Sequence, residues 1–224
     1  MKSSIVACVV CIFFCIADAE AQKIKLTQQN LKPVQVGLSF NPFAGKEAIR
    51  VVKDTNVKAV DQPSFVKITD VDFRNGTIEV TVLSRLLPDA PEFARGFIGV
   101  AFHISDSNSK FECIYIRPVN GRANNQLQRN HAIQYFSFPD YDFERFRKEA
   151  PGEFESYADM GLNEWIKMRI VVKGKQALLF LNDTKQPSLI VNDLKLGADL
   201  SGAIGLWVEA GTEGFFSDVK VRKE

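Results

Sequence analysis

The chain is poor in the residues that most often carry chemistry. Its 224 residues include four cysteines, two histidines and two tryptophans. Three of the cysteines, Cys8, Cys11 and Cys15, fall in the first fifteen residues. Once a leader is removed, Cys113 stands alone, which excludes an internal disulfide. One cysteine and two histidines are too few for a zinc site. No G-x-S-x-G elbow is present, and Cys113 lies within an apolar strand pattern, where an inert thiol is expected rather than a nucleophile. Charge of one sign is also missing. A net charge of +1, with dispersed basic residues, gives no pull toward nucleic acid or an anionic membrane. No internal repeat and no low-complexity tract occurs, and no apolar run after residue 21 reaches membrane-spanning length.

What is there begins with an export signal. Lys2 precedes an apolar run at 5–16, and Ala19-Glu20-Ala21 offers small residues at the cleavage positions before Gln22. Residues 1–21 therefore read as a signal peptide, and 22–224 as one domain that is secreted or periplasmic. A lipoprotein anchor at Cys15 is disfavoured, because Phe13 and Phe14 occupy positions where such motifs use small residues.

The mature part alternates apolar and polar residues at period two over many short stretches. AIRVVKD (48–54), FVKITDVDF (65–73), TIEVTVLSRLL (77–87), FIGVAFHI (97–104), GAIGLWVEAG (202–211) and FFSDVKVRK (215–223) all read as strands. Residues 165–173 and 176–182 form a hairpin across Gly174-Lys175, and a short strand follows near 189–194. Residues 22–36 look irregular or edge-like. A short helix is expected near 143–149, ended by Pro151-Gly152. At least nine strands without βαβ alternation argue for an all-β, antiparallel two-sheet jelly-roll sandwich with a short helical insertion.

The segment that organises the rest is 111–138. It reads as strand FECIYIRP, a long polar loop and a return strand HAIQYFSF. Asn120-Gly121 is a turn signal. The loop carries Arg122, Asn124, Asn125, Gln126, Gln128, Arg129, Asn130 and His131 with no carboxylate. Amides and guanidinium groups together suit hydroxyl-rich or anionic ligands.

The order FIGVAFHI, FECIYIRP, Trp165-x-x-Met168-Arg169-Ile170-Val171-Val172, LLFLND (178–183), Gly202-x-Ile204-Gly205-Leu206-Trp207 and FFSDVKV resembles the concanavalin A-like lectin/glucanase superfamily. It is most similar to laminin-G-like members and to secreted proteins of the 3-keto-disaccharide hydrolase type. The resemblance spans about 65–221. It implies a sandwich whose concave sheet and loops hold a glycan. No cofactor is expected. Calcium is the one ion the resemblance admits, with Asp70, Asp72 and Asp218 as carboxylates whose spacing is not diagnostic.

Alternation then assigns faces. Ile98, Val100, Phe102 and Ile104 are expected in the core, with small residues and His103 opposite them. Cys113, Tyr115 and Arg117 oppose Ile114 and Ile116, and Trp207 and Glu209 oppose Leu206 and Val208. Gln134 is placed on the open face because burying an unpaired amide is costly. The candidate ligand-binding residues are His103, Tyr115, Arg117, Gln134, Trp207 and Glu209, with Arg122, Arg129 and His131 above them. A Trp ring suits the C–H face of a pyranose.

Catalysis is less well supported. A retaining glycosidase needs two carboxyl groups about 5–5.5 Å apart, and the E-x-D-x-E-like run of the superfamily's glucanases is absent. Glu153-Phe154-Glu155 is its nearest match and reads as a solvated loop. Elimination on a 3-keto-glycoside would need one base and an oxyanion stabiliser, for which His103, Glu209 or His131 with Arg117 are the candidates. The expectation is therefore an exported carbohydrate-binding protein. The alternatives are a hydrolase or lyase acting on glycosidic bonds and a laminin-G-like protein-binding module.

Overall fold

The computed structural model describes residues 21–224. All of the expected leader except Ala21 lies outside the described residues, as do Cys8, Cys11 and Cys15. In chain order the strands are β1 (Gln22–Lys23), β2 (Leu31–Val34), β3 (Val36–Phe40), β4 (Ile49–Lys53), β5 (Phe65–Phe73), β6 (Gly76–Leu86), β7 (Ile98–Ile104) and β8 (Phe111–Ile116). Two short helices, α1 (Pro118–Gly121) and α2 (Gln126–Asn130), lead to β9 (Ile133–Phe138). Then come α3 (Phe143–Glu149), β10 (Glu155–Ser156), β11 (Ile166–Lys173), β12 (Gln176–Leu181), β13 (Leu189–Val191), β14 (Gly202–Val208) and β15 (Thr212–Lys223).

These strands make two antiparallel sheets, ordered β13-β12-β11-β6-β15-β4-β3, with β1 also on β15, and β10-β9-β8-β7-β14-β5-β2. The first sheet holds the hairpin expected across Gly174-Lys175. Its β11 alternates buried and half-buried residues, as a sheet with one wet face should. The second sheet does not alternate. Every residue of β7 and β8 is buried, so both of its faces are covered. Ile98, Val100, Ile114, Leu206 and Val208 take the side toward the first sheet, where the methyls of Val208 and Ile98 approach Gly214 of β15. No helix among the described residues is long and apolar enough to cross a membrane.

The loop expected between β8 and β9 contains α1 and α2. Pro118 occupies a first-turn position of α1, and the Asn125 side chain accepts from the Gln128 amide to cap α2. Asn120-Gly121 is thus helical rather than a hairpin turn. Gly121 has the Met160 backbone packed where a Cβ would stand.

Candidate functional site

The outer face of the second sheet carries one continuous row. Phe65, Trp207, Gly99, Tyr115, Gln134 and Glu155 stand opposite one another on β5, β14, β7, β8, β9 and β10. Strands two apart lie about 9.6 Å from each other, yet the Tyr115 and Trp207 ring centroids are 4.9 Å apart. They meet because Gly99, between them, has no side chain. A Cβ there would stand 2.4 Å from the Ile114 carbonyl oxygen and 2.5 Å from Tyr115 Cα. The small residues beside His103 do leave room, and the protein's own rings fill it.

The expectation of an open face is corrected here. Trp207 and Gln134 are fully buried, and His103, Tyr115, Arg117 and Glu209 nearly so. Residues 54–64 cross this face as a roof. The Trp207 indole N–H donates to the Gln62 carbonyl at 3.0 Å, and the Asp61 amide donates to Glu209 at 3.0 Å. The Asp61 carboxylate in turn accepts from the Phe143 amide at 2.9 Å, which fastens the start of α3 to the roof. Period two reports which side a residue takes, not what lies above it.

His103 sits at the far end of β7, where the register with β14 shifts and its own φ is +54°. Its Nε2 pairs with the Arg74 carbonyl at 2.8 Å, and burial pushes the imidazole below its ordinary value, so it is neutral. It faces Phe73 and Phe102. Arg122 is exposed and paired with Asp159 and Glu164, and Arg129 lies over Tyr157.

A cavity of about 370 Å³ remains at the edge of the roof. Of the expected residues, Tyr115, Arg117, His131 and Glu209 line it, whereas His103, Arg122, Arg129, Gln134 and Trp207 do not. Its remaining walls come from Val60 and Asp61 of the roof, Phe93, Arg95 and Phe97 before β7, Asn120, Leu127 and Gln128 of the small helices, and Phe143 and Arg147 of α3. The last two are four apart on one helix face.

Arg117 organises the floor. Its guanidinium donates to the His131 carbonyl (2.9 Å), Glu155 (3.1 Å), Tyr115 Oη (2.6 Å) and Gln134 Oε1 (2.5 Å). Gln134 is thus buried with its oxygen paired. Glu155 also receives Arg147 at 2.8 Å and faces His131 Nε2 at 3.5 Å. Burial pushes the Glu155 carboxyl up, but the Arg147 hydrogen bonds and the charges of Arg147, Arg117 and His131 outweigh it and hold the group below its ordinary value. The solvated loop expected around Glu153-Phe154-Glu155 is corrected accordingly: Phe154 is buried and the Glu155 side chain is only 4% exposed. Burial lowers His131 more than Glu155 raises it, so its ring is neutral near pH 7.

Two further carboxyl groups meet at the cavity. Glu209 is bound by Lys53 in a buried ion pair and also accepts from the Ala210 amide. Asp61 was not picked out by the sequence. Burial, then the Glu209 charge, raise its carboxyl against the Phe143 hydrogen bond and Arg117, from 3.8 to about 7. The folded chain therefore binds this proton more tightly than the unfolded one. The resulting stabilisation is complete below pH 3.8 and is lost as pH rises through about 7. At roughly 1.4 kcal/mol per pKa unit the effect is a few kcal/mol. Asp61→Asn, which keeps the acceptor for Phe143, is expected to flatten this part of the stability profile in urea titrations between about pH 4 and 8. An unchanged slope would remove Asp61 as its source.

Among the described residues no group of three or more His, Cys, Asp and Glu converges as metal ligands. Asp218, one of the carboxylates considered for calcium, is bound by Lys46 at 2.7 Å, and Asp70 accepts from Asn30.

No family model matches the sequence, and no curated protein resembles it. Solved structures do. The carbohydrate binding module CBM66 from Bacillus subtilis superposes with a TM-score of 0.58 at 13% identity, over 86% of this chain and 96% of that one. A Bacillus subtilis protein of unknown function with a galectin-like fold gives 0.54 at 10% identity, over 87% and 90%. A candidate glycosyl hydrolase from Parabacteroides distasonis gives 0.51 at 9% identity, over 91% and 100%. At these identities the likeness is one of fold, and the fold is the concanavalin A-like, galectin-like β-sandwich.

Proposed function

We propose that this is an exported carbohydrate-binding protein, secreted or periplasmic, whose single sandwich domain takes a sugar in the cavity beside Arg117. The observation that carries the proposal is the make-up of that cavity. Aromatic faces from Phe93, Phe97 and Phe143 border a fixed set of donors from Arg117, Arg147, Asn120 and Gln128. An aromatic face covers the C–H side of a pyranose, while guanidinium and amide groups satisfy its hydroxyls. The volume lies within the usual range for small-ligand sites, and the fold is shared with a protein named as a carbohydrate binding module. In this proposal Tyr115, Arg117, His131 and Glu209 form the floor. Trp207, Gln134 and His103 act behind it, as packing.

A glycan array with the 22–224 chain, followed by calorimetry on the best ligand, tests the proposal. Phe97→Ala removes one aromatic wall and is expected to weaken binding roughly threefold to tenfold, the scale of one aromatic contact. Failure to bind any glycan would favour the laminin-G-like protein-binding alternative.

A second reading, cleavage of a glycosidic bond, draws on Asp61. A carboxyl group that keeps its proton up to about pH 7 is suited to act as a general acid. His131, neutral and lining the same cavity, is then the better base candidate. Glu209 is already held by Lys53 and two amides. New reducing ends, or an enone from a 3-keto-glycoside, would reveal this activity, and Asp61→Asn should abolish it.

A further inference from the structure

A second cavity of about 410 Å³ opens beside the first, and Phe93 lines both. The buried Lys53–Glu209 pair also joins them, with Lys53 lining the second cavity and Glu209 the first. Phe93 is 53% exposed, and Val60 and Leu127 of the same cavity wall are exposed with it; apolar residues exposed together, unlike a single one, mark a contact site. Phe93 is also held in place. Leu87 donates to the Gly211 carbonyl at 2.9 Å, and Ala94 closes a tight turn onto Pro91 at 2.8 Å. Gly211, at φ +73°, lets this turn approach so closely that a Cβ there would stand 2.8 Å from both Ala94 and Pro91. An exposed aromatic on a braced turn presents a fixed face rather than a mobile one.

We propose that the two cavities are adjacent subsites of one cleft, and that the ligand is a sugar chain that crosses Phe93 with units on both sides. This rests on the carbohydrate reading above and extends it from a single sugar to an oligo- or polysaccharide. Two compartments of nearly equal volume on either side of one ring suit a ligand with a repeating unit. The second compartment offers exposed Thr55, Lys58 and Asp89, and neither Lys58 nor Asp89 has a side-chain partner among the described residues. Each can therefore serve a hydroxyl without giving up an internal bond.

Calorimetry of the 22–224 chain with gluco-, xylo-, arabino- and fructo-oligosaccharides of one to six units tests the proposal. A bound series should tighten at least tenfold between one unit and three or more. Phe93→Ala, or Thr55→Ala with Lys58→Ala, should remove most of that dependence on length. All three side chains are exposed, so the variants should fold. Equal affinity at every length, or an intact length dependence in both variants, would overturn the two-subsite proposal while leaving sugar binding in the first cavity standing. Absence of binding to every member of all four series would instead overturn the carbohydrate reading itself, and this inference with it.

Discussion

Lys53→Ala should destabilise the folded protein by about 3–5 kcal/mol in urea unfolding, the cost of stranding one member of a buried ion pair. Lys53 and Glu209 are 5% and 3% exposed, so water cannot easily replace the lost partner. The pair also ties pieces together. Lys53 donates to the Ala59 carbonyl, and Glu209 accepts from the amides of Asp61 and Ala210. One ion pair thus holds the roof over Trp207, at Ala59 and Asp61, and the turn after β14. Combining Lys53→Met with Glu209→Leu should recover part of the loss, because an apolar pair of similar volume needs no compensation for charge. Recovery stays incomplete, since the Asp61 and Ala210 amides lose their acceptor. A cost below about 1 kcal/mol for Lys53→Ala would mean that the pair behaves as a surface one.

The residues involved explain what the sequence could and could not reveal. Within β4, alternation puts Ile49, Val51 and Lys53 on the buried side. A lysine in a core phase signals a buried acidic partner, and that signal was available. The strands from β4 to β15, β10 excepted, fall within a few residues of their expected limits, and α3 occupies 143–149 as expected, because period two and the Pro-Gly stop are local properties. β2 lies in the stretch read as irregular or edge-like and does form a sheet edge, whereas β3 was not assigned. Their apolar residues are sparse and Pro33 sits on an edge strand, where its missing N–H is tolerated. The helices α1 and α2 were legible in principle from Pro118 and Asn125. Face assignment succeeded for Tyr115, Arg117, Gln134, Trp207 and Glu209, but exposure did not follow from it. The cover comes from residues 54–64, and nothing local in β8 or β14 encodes what a distant loop will do. Asp61 and Glu155 were missed for the same reason: each looks like an ordinary loop carboxylate until its neighbours are known.

Arg117→Ala should cost a similar 3–5 kcal/mol and abolish ligand binding in the first cavity. Arg117 is 4% exposed and makes four hydrogen bonds, to His131, Glu155, Tyr115 and Gln134. Its removal leaves the Tyr115 hydroxyl and the Gln134 amide oxygen buried without these donors, and reduces the positive charge facing Glu155 to that of Arg147. Stability loss alone could account for lost binding, so Arg117→Lys separates the two. Lysine restores the charge but not the planar fork that reaches Tyr115 and Gln134 from one nitrogen and His131 and Glu155 from the other. The lysine variant should therefore stay folded at 25 °C yet bind at least tenfold more weakly than the wild type. If Arg117→Lys binds normally, charge alone is sufficient and the fork geometry is incidental. If Arg117→Ala unfolds at the same urea concentration as the wild type, the row from Phe65 to Glu155 does not depend on Arg117, and the floor of the cavity must be held by the aromatic contacts of Tyr115, Phe136 and Trp207.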